Sequence, residues 1–89
     1  MTILRGRVVD PDDRPEIGAT VYILSAPVSM PDIAQITDER GEFMLAVTAP
    51  GCYSLGSRSE RWGTAQTEVM VGNEAVLEVK IKFIFPGGD

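Results

Sequence analysis

Leu77-Glu78-Val79-Lys80-Ile81-Lys82-Phe83-Ile84-Phe85 alternates: Leu77, Val79, Ile81, Phe83 and Phe85 share one face, while Glu78, Lys80 and Lys82 share the other. Successive side chains of an extended strand point to opposite sides, so this pattern predicts a strand with one face in a core and one in water. Its register is strongly specified. A slip of one residue would carry two lysines and a glutamate into the core, a desolvation error of several kcal/mol.

Working outward from that strand, the same period recurs along the chain. Leu4–Val8, Ala19–Ile23, Ala34–Thr37, Phe43–Val47, Cys52–Leu55 and Thr67–Val71 all read as strands. Turn chemistry separates them. Asp10-Pro11-Asp12-Asp13-Arg14-Pro15 combines prolines, which fix φ and lack a donor, with aspartates that accept hydrogen bonds from the backbone just downstream. Asp38-Glu39-Arg40-Gly41 starts with a turn-forming aspartate and ends on a glycine able to take positive φ. Pro50-Gly51, Glu60-Arg61-Trp62-Gly63 and Gly72-Asn73-Glu74 interrupt the remaining runs, and Ala26 to Asp32 reads as a loop crossing between sheets. No segment shows sustained helical spacing with caps; the one helical candidate is a turn near Pro31-Asp32-Ile33-Ala34. Seven short strands with regular turns predict an all-β protein, a seven-stranded antiparallel β-sandwich of two small sheets, with the C-terminal strand the longest. Gly6 within the first strand predicts close approach of a neighbouring group, and Phe43, Leu45 and Val47 are expected to fill one face of theirs.

The chain has 89 residues, 44% hydrophobic and 24% charged, which suits a single domain over residues 1–89 with one core and no room for a deep insertion. Eight Lys and Arg against thirteen Asp and Glu give a net charge of −5, which disfavours nucleic acid as a partner. There is no His and only one Cys, so intramolecular disulfides, histidine-based hydrolytic triads and the usual zinc sites are excluded. No apolar run approaches the ~20 residues of a membrane span, and the N-terminus lacks a signal-peptide pattern. The expectation is a cytoplasmic protein without membrane insertion, or a cell-envelope one if the sequence belongs to a longer chain.

Candidate sites are few. Asp10, Asp12 and Asp13 offer the carboxylate oxygens that Ca²⁺ prefers, but the spacing has no loop glycine and no bidentate Glu, so a solvated turn is expected and no metal or cofactor site is assigned. Arg58, Glu60, Arg61 and Trp62 precede the sixth strand as a loop. Trp and Arg are enriched at the energetic centres of interfaces, which makes Arg58, Arg61 and Trp62 the candidate partner-binding residues; the competing and favoured role for Trp62 is a lid over one end of the core. Cys52 is expected to be a small buried apolar residue, because nothing nearby in sequence would activate its thiol. Ser54, Ser57 and Ser59 lack a histidine base, and Tyr22 and Met30 are expected as exposed apolar contacts.

The succession Gly6-Arg7-Val8-Val9-Asp10, Pro15, Gly18-Ala19-Thr20-Val21, then Thr37-Asp38-Glu39-Arg40-Gly41-Glu42-Phe43 and Pro50-Gly51-Cys52-Tyr53 resembles the carboxypeptidase regulatory-like domain, a transthyretin-like (prealbumin-like) Greek-key sandwich. The resemblance covers about residues 3 to 85. It implies that Gly6 and Val8 lie in the first strand, that Gly18-Ala19 opens the second, that Gly41 closes the turn before Phe43 and that Tyr53 packs between the sheets. It also implies a non-catalytic module of the kind found beside metallocarboxypeptidase domains, at the periplasmic end of outer-membrane receptors or within surface proteins. Where the family often has a Gly-Tyr pair after the fifth strand, this chain has Arg61-Trp62-Gly63. The hydroxyisourate hydrolase built on a related scaffold needs histidines that are missing here. Isopeptide crosslinking needs a first-strand lysine, and the lysines are Lys80 and Lys82 alone.

Three functional expectations follow. The first is a non-catalytic structural or protein-interaction module, acting on another protein or domain through end loops or an edge strand. The second is a carbohydrate-binding module with Trp62, and Tyr22 beside it, as stacking platforms. The third is an enzyme using carboxylates such as Asp10 and Asp38. Oligomeric state is left open by the sequence.

Overall fold

Each alternating segment forms a strand in the computed structural model, which describes residues 1–30 and 33–85. In chain order these are β1 (Thr2–Val9), β2 (Thr20–Ser25), β3 (Ala34–Ile36), β4 (Glu42–Val47), β5 (Gly51–Ser59), β6 (Gly63–Val71) and β7 (Val76–Lys82), and there is no helix among the described residues. Of the expected helical turn, Pro31 and Asp32 lie outside the described residues, and Ala34 opens β3 instead.

The strands form two sheets, β4-β1-β7 and β3-β2-β5-β6, so the segment after β2 that was expected to cross between sheets instead returns to β3, the antiparallel neighbour of β2 in the same sheet. Their facing sides meet in one core. Leu4, Val8, Phe43, Leu45, Val47 and Ile81 come from the first sheet, and Val21, Tyr53, Leu55, Val69 and Val71 from the second. Burial of each such side chain contributes roughly 1.5–3 kcal/mol, so this alternation is the main driving force for the fold. Tyr53 is fully buried, and its hydroxyl donates to the carbonyl of Ala49 at 2.6 Å, so the ring enters the core without an unpaired polar atom.

One part of the expected pairing is corrected. β1 and β7 run parallel, in register from Ile3 opposite Val76 to Val9 opposite Lys82, so the first sheet is mixed rather than antiparallel. The cause lies in the connection. After β6 the chain crosses sheets and is caught beside the start of β1, where Ile3 N–H donates to the Ala75 carbonyl and the Thr2 hydroxyl to that of Glu74. From there β7 can only travel in the direction of β1.

β7 is also not the longest strand: it has seven residues against nine in each of β5 and β6. The ladder stops at Lys82, although Phe83 N–H still donates to the Val9 carbonyl and its ring is fully buried. Phe85, expected on the core face, is 61% exposed.

Two glycines have the reasons their positions suggested. A Cβ on Gly6 would collide with the Phe43 ring and lie 2.9 Å from the Val79 carbonyl, so the bare backbone lets Phe43 lie across β1. Gly41 has φ +72°, and a Cβ there would sit 2.5 Å from the Val8 carbonyl. That closeness is productive, because Val8 N–H donates to the Gly41 carbonyl while the Val8 carbonyl accepts from Glu16 N–H. The 38–41 turn and the start of the 16–19 segment are thereby fastened to the same residue of β1.

Candidate functional site

β5 and β6 pair without a register break from Gly51 opposite Val71 to Ser59 opposite Gly63, which leaves Glu60-Arg61-Trp62 as a three-residue turn. Gly63 closes it at φ +83°, the left-handed conformation that lets such a hairpin rejoin its ladder. Arg58 is therefore on β5 rather than in a loop, exposed on the outer face opposite Thr20. The strand extends further than the sequence suggested because Gly56, which interrupts the alternation, is roofed by the Tyr22 ring from β2.

The turn is held from across the chain by Glu16. Its Oε2 accepts from the Ser59 hydroxyl at 2.8 Å, and its Oε1 accepts from the Trp62 indole N–H at 3.1 Å. The Ser59 oxygen also accepts from Arg61 N–H at 3.1 Å, so one hydroxyl links carboxylate to turn. Glu16 is only 5% exposed. Its own backbone is fixed at both ends, N–H to the Val8 carbonyl and carbonyl to the Thr37 hydroxyl at 2.6 Å; the Thr37 oxygen in turn accepts from Ala19 N–H at 2.9 Å. A buried carboxylate without an ion pair is tolerated only when strong donors surround it, and here both oxygens have one.

Trp62 is half-buried against the core, so it caps one end of the sandwich while keeping part of its ring at the surface. The Arg61 guanidinium lies 5.1 Å from the ring centroid, within cation–π range. Phe85 meets the indole edge-to-face at 5.8 Å and 84°. Beside this cluster runs an open groove of about 620 Å³, lined among others by Glu16, Ile17, Thr20, Arg58, Ser59 and Arg61. Ile17 is 63% exposed, and neither Arg58 nor Arg61 forms an ion pair among the described residues. Arg58, Arg61 and Trp62 are thus brought to one end of the molecule with two apolar neighbours. Glu16 was missed by sequence reasoning; no local pattern marks it, because its side-chain partners lie 43 and 46 residues away.

The acidic loop is organised differently. Asp10 Oδ1 accepts from the backbone N–H groups of Asp12 and Arg14 at 2.8 and 2.9 Å. Asp13 turns outward at φ +65° to meet Lys80 and Lys82 at 3.4 and 3.3 Å. Asp38 Oδ1 accepts from the N–H groups of Arg40 and Glu42, both at 2.9 Å. Among the described residues no three carboxylate, thiol or imidazole groups converge as a metal site would require. The two lysines, Lys82 first, hold the Asp13 carboxyl below the usual aspartate range; the Glu42 and then the Arg40 amide do the same for Asp38.

Cys52 is exposed, which corrects the expectation of burial: Tyr53 and Leu55 take the inner face, and period two then turns Cys52 outward. Ser57 is fully buried, and its hydroxyl has no hydrogen-bond partner among the described residues. Of the two residues expected as exposed apolar contacts, Tyr22 is half-buried over Gly56 and Met30 packs at the edge of the core. No helix of the described residues is long and apolar enough to cross a membrane. The chain matches no protein-family model and has no significant similarity to a curated protein.

Proposed function

We propose that this chain is a non-catalytic protein-interaction module, a Greek-key sandwich of the carboxypeptidase regulatory-like, transthyretin-like type, whose contact surface is the β5–β6 turn with Arg58, Ile17 and Phe85 beside it. The family part of this reading is supported by Gly6 and Val8 within β1, Gly18-Ala19 immediately before β2, Gly41 closing the turn before Phe43, and Tyr53 buried between the sheets.

The observation that carries the functional part is the Glu16 clamp. An exposed turn with long side chains ordinarily loses conformational entropy when a partner immobilises it, roughly 0.5–1.5 kcal/mol for each rotamer-rich side chain. Here Trp62 is already fixed by its N–H, and Arg61 rests on its ring. A preorganised Trp–Arg pair flanked by exposed Ile17 and Phe85 has the composition of an interface hot spot.

Carbohydrate stacking on Trp62 is the alternative. It requires a free ring face, and the Arg61 guanidinium already lies over the ring while Tyr22 rests on Gly56. The protein-contact reading is accordingly the one the geometry favours. Site-specific photocrosslinking in the cell, with the probe at exposed Glu60, tests it against a control probe at exposed Ala46 on the opposite sheet. The expected result is a protein adduct from position 60 alone, lost in the Arg61→Ala and Trp62→Ala variants. Adducts that are equal from both positions, or a glycan array bound through Trp62 with no protein adduct, would overturn it.

A further inference from the structure

The sheets have four edges, and they are not alike. β3 is three residues long, too short to template pairing. β4 has six residues. β7 carries a charge at every outward position from Glu78 to Lys82, a common protection of exposed edges. β6 has none of these protections. It is nine residues long, pairs with β5 without a bulge, contains no proline and has Glu68 as its one charge. Its far side offers a continuous row of unpaired backbone donors and acceptors.

We propose that β6 pairs antiparallel with β6 of a second copy of this chain, joining the two four-stranded sheets into one of eight strands. The sequence Gly63-Thr64-Ala65-Gln66-Thr67-Glu68-Val69-Met70-Val71 is chemically self-complementary about its centre. With the two-fold axis at Thr67, all nine positions pair. On the outer face Glu68 lies opposite Gln66 of the second copy and Met70 opposite its Thr64. On the inner face Ala65 lies opposite Val69, and Thr67 opposite Thr67. No like charges meet, and Thr–Thr and small–branched pairs are favourable across antiparallel strands. An axis at Glu68 would oppose two glutamates, and one at Gln66 would leave the end of the strand unpaired, so one register is selected. The incoming strand also roofs the groove of about 300 Å³ between β6 and β7, where Leu77 and Val79 stand half-buried. The arrangement is isologous and closes as a dimer.

Sedimentation velocity from micromolar to millimolar protein tests this pairing through its register. Gln66 is exposed, so its replacement leaves the fold intact, which circular dichroism verifies. Gln66→Glu creates two symmetry-related Glu–Glu68 pairs and weakens the dimer; Gln66→Lys creates two Lys–Glu68 pairs and tightens it. The expected change in Kd is roughly two- to thirtyfold in each direction. A wild-type chain that stays monomeric throughout, leaving the edge to an extended segment of another protein, overturns the proposal. So does a dimer whose Kd moves the same way, or not at all, in the two variants.

Discussion

Asp10 and Asp38 at two acidic turns, and Glu16 between them in sequence, use the same functional group for opposite ends. Each aspartate closes on its own loop: Asp10 accepts from amides two and four residues ahead, and so does Asp38. Such hydrogen bonds stiffen a turn by committing one oxygen of each carboxylate to its own backbone. Glu16 ignores its neighbours and reaches instead to Ser59 and Trp62, across the gap between the segment before β2 and the β5–β6 turn. The difference teaches that an aspartate in an acidic turn can serve its own loop, while a lone glutamate can set the shape of a distant surface.

Removing Glu16 is the strongest way to break this comparison. Glu16→Ala leaves the Ser59 hydroxyl and the Trp62 indole N–H without their acceptor in a mostly buried place, and hydrogen bonds to a charged group contribute roughly 1.5–3 kcal/mol each. Chemical denaturation is expected to show a loss of about 2–4 kcal/mol, accompanied by a red shift of Trp62 emission. A loss below about 1 kcal/mol with unchanged emission would place Glu16 on a level with the turn aspartates.

The aspartates sharpen the contrast through pH. Asp38, held low by the Glu42 and Arg40 amides, and Asp13, held low by Lys82 and Lys80, both titrate below their unfolded values. A lowered carboxyl pKa makes the unfolded state bind protons first on acidification. Their stabilisation is therefore complete above the ordinary aspartate value of about 3.9 and disappears as pH falls through the lowered folded values. A thermal melting series should decline in that acid window, and Asp38→Ala should flatten the decline without altering Trp62 emission. Because both groups are exposed, the effect is expected to be the smaller one. Added salt should reduce the Asp13 part, which rests on lysine charges, more than the Asp38 part, which rests on amides.

Much of the fold was legible because period two is a direct imprint of a half-buried strand. Leu4 and Val8, Phe43 to Val47, and Val69 and Val71 announced their inner faces, and Gly6 and Gly41 announced a close approach and a turn. Strand direction was not legible, since alternation is the same whichever way a strand runs; the capture of Glu74 and Ala75 beside Thr2 and Ile3 decides it for β7. The reach of β5 and β6 was hidden as well. Gly56, Ser57 and Thr64 interrupt the apolar rhythm, and the Tyr22 ring that compensates Gly56 belongs to another strand. At the site, Arg61 and Trp62 stood out by residue type within a turn. Glu16 did not, because the donors that give it meaning are remote in sequence.

The central claim is that Glu16 prebuilds the β5–β6 turn as a contact surface, and hydrogen exchange of the Trp62 indole N–H, followed by NMR, tests it most directly. Exchange is expected to be markedly slower than in free tryptophan and to return toward the free rate in Glu16→Ala, while backbone amides of the β1–β4 ladder keep their protection. A Trp62 indole proton that exchanges in the wild-type protein at the rate of free tryptophan would contradict the account.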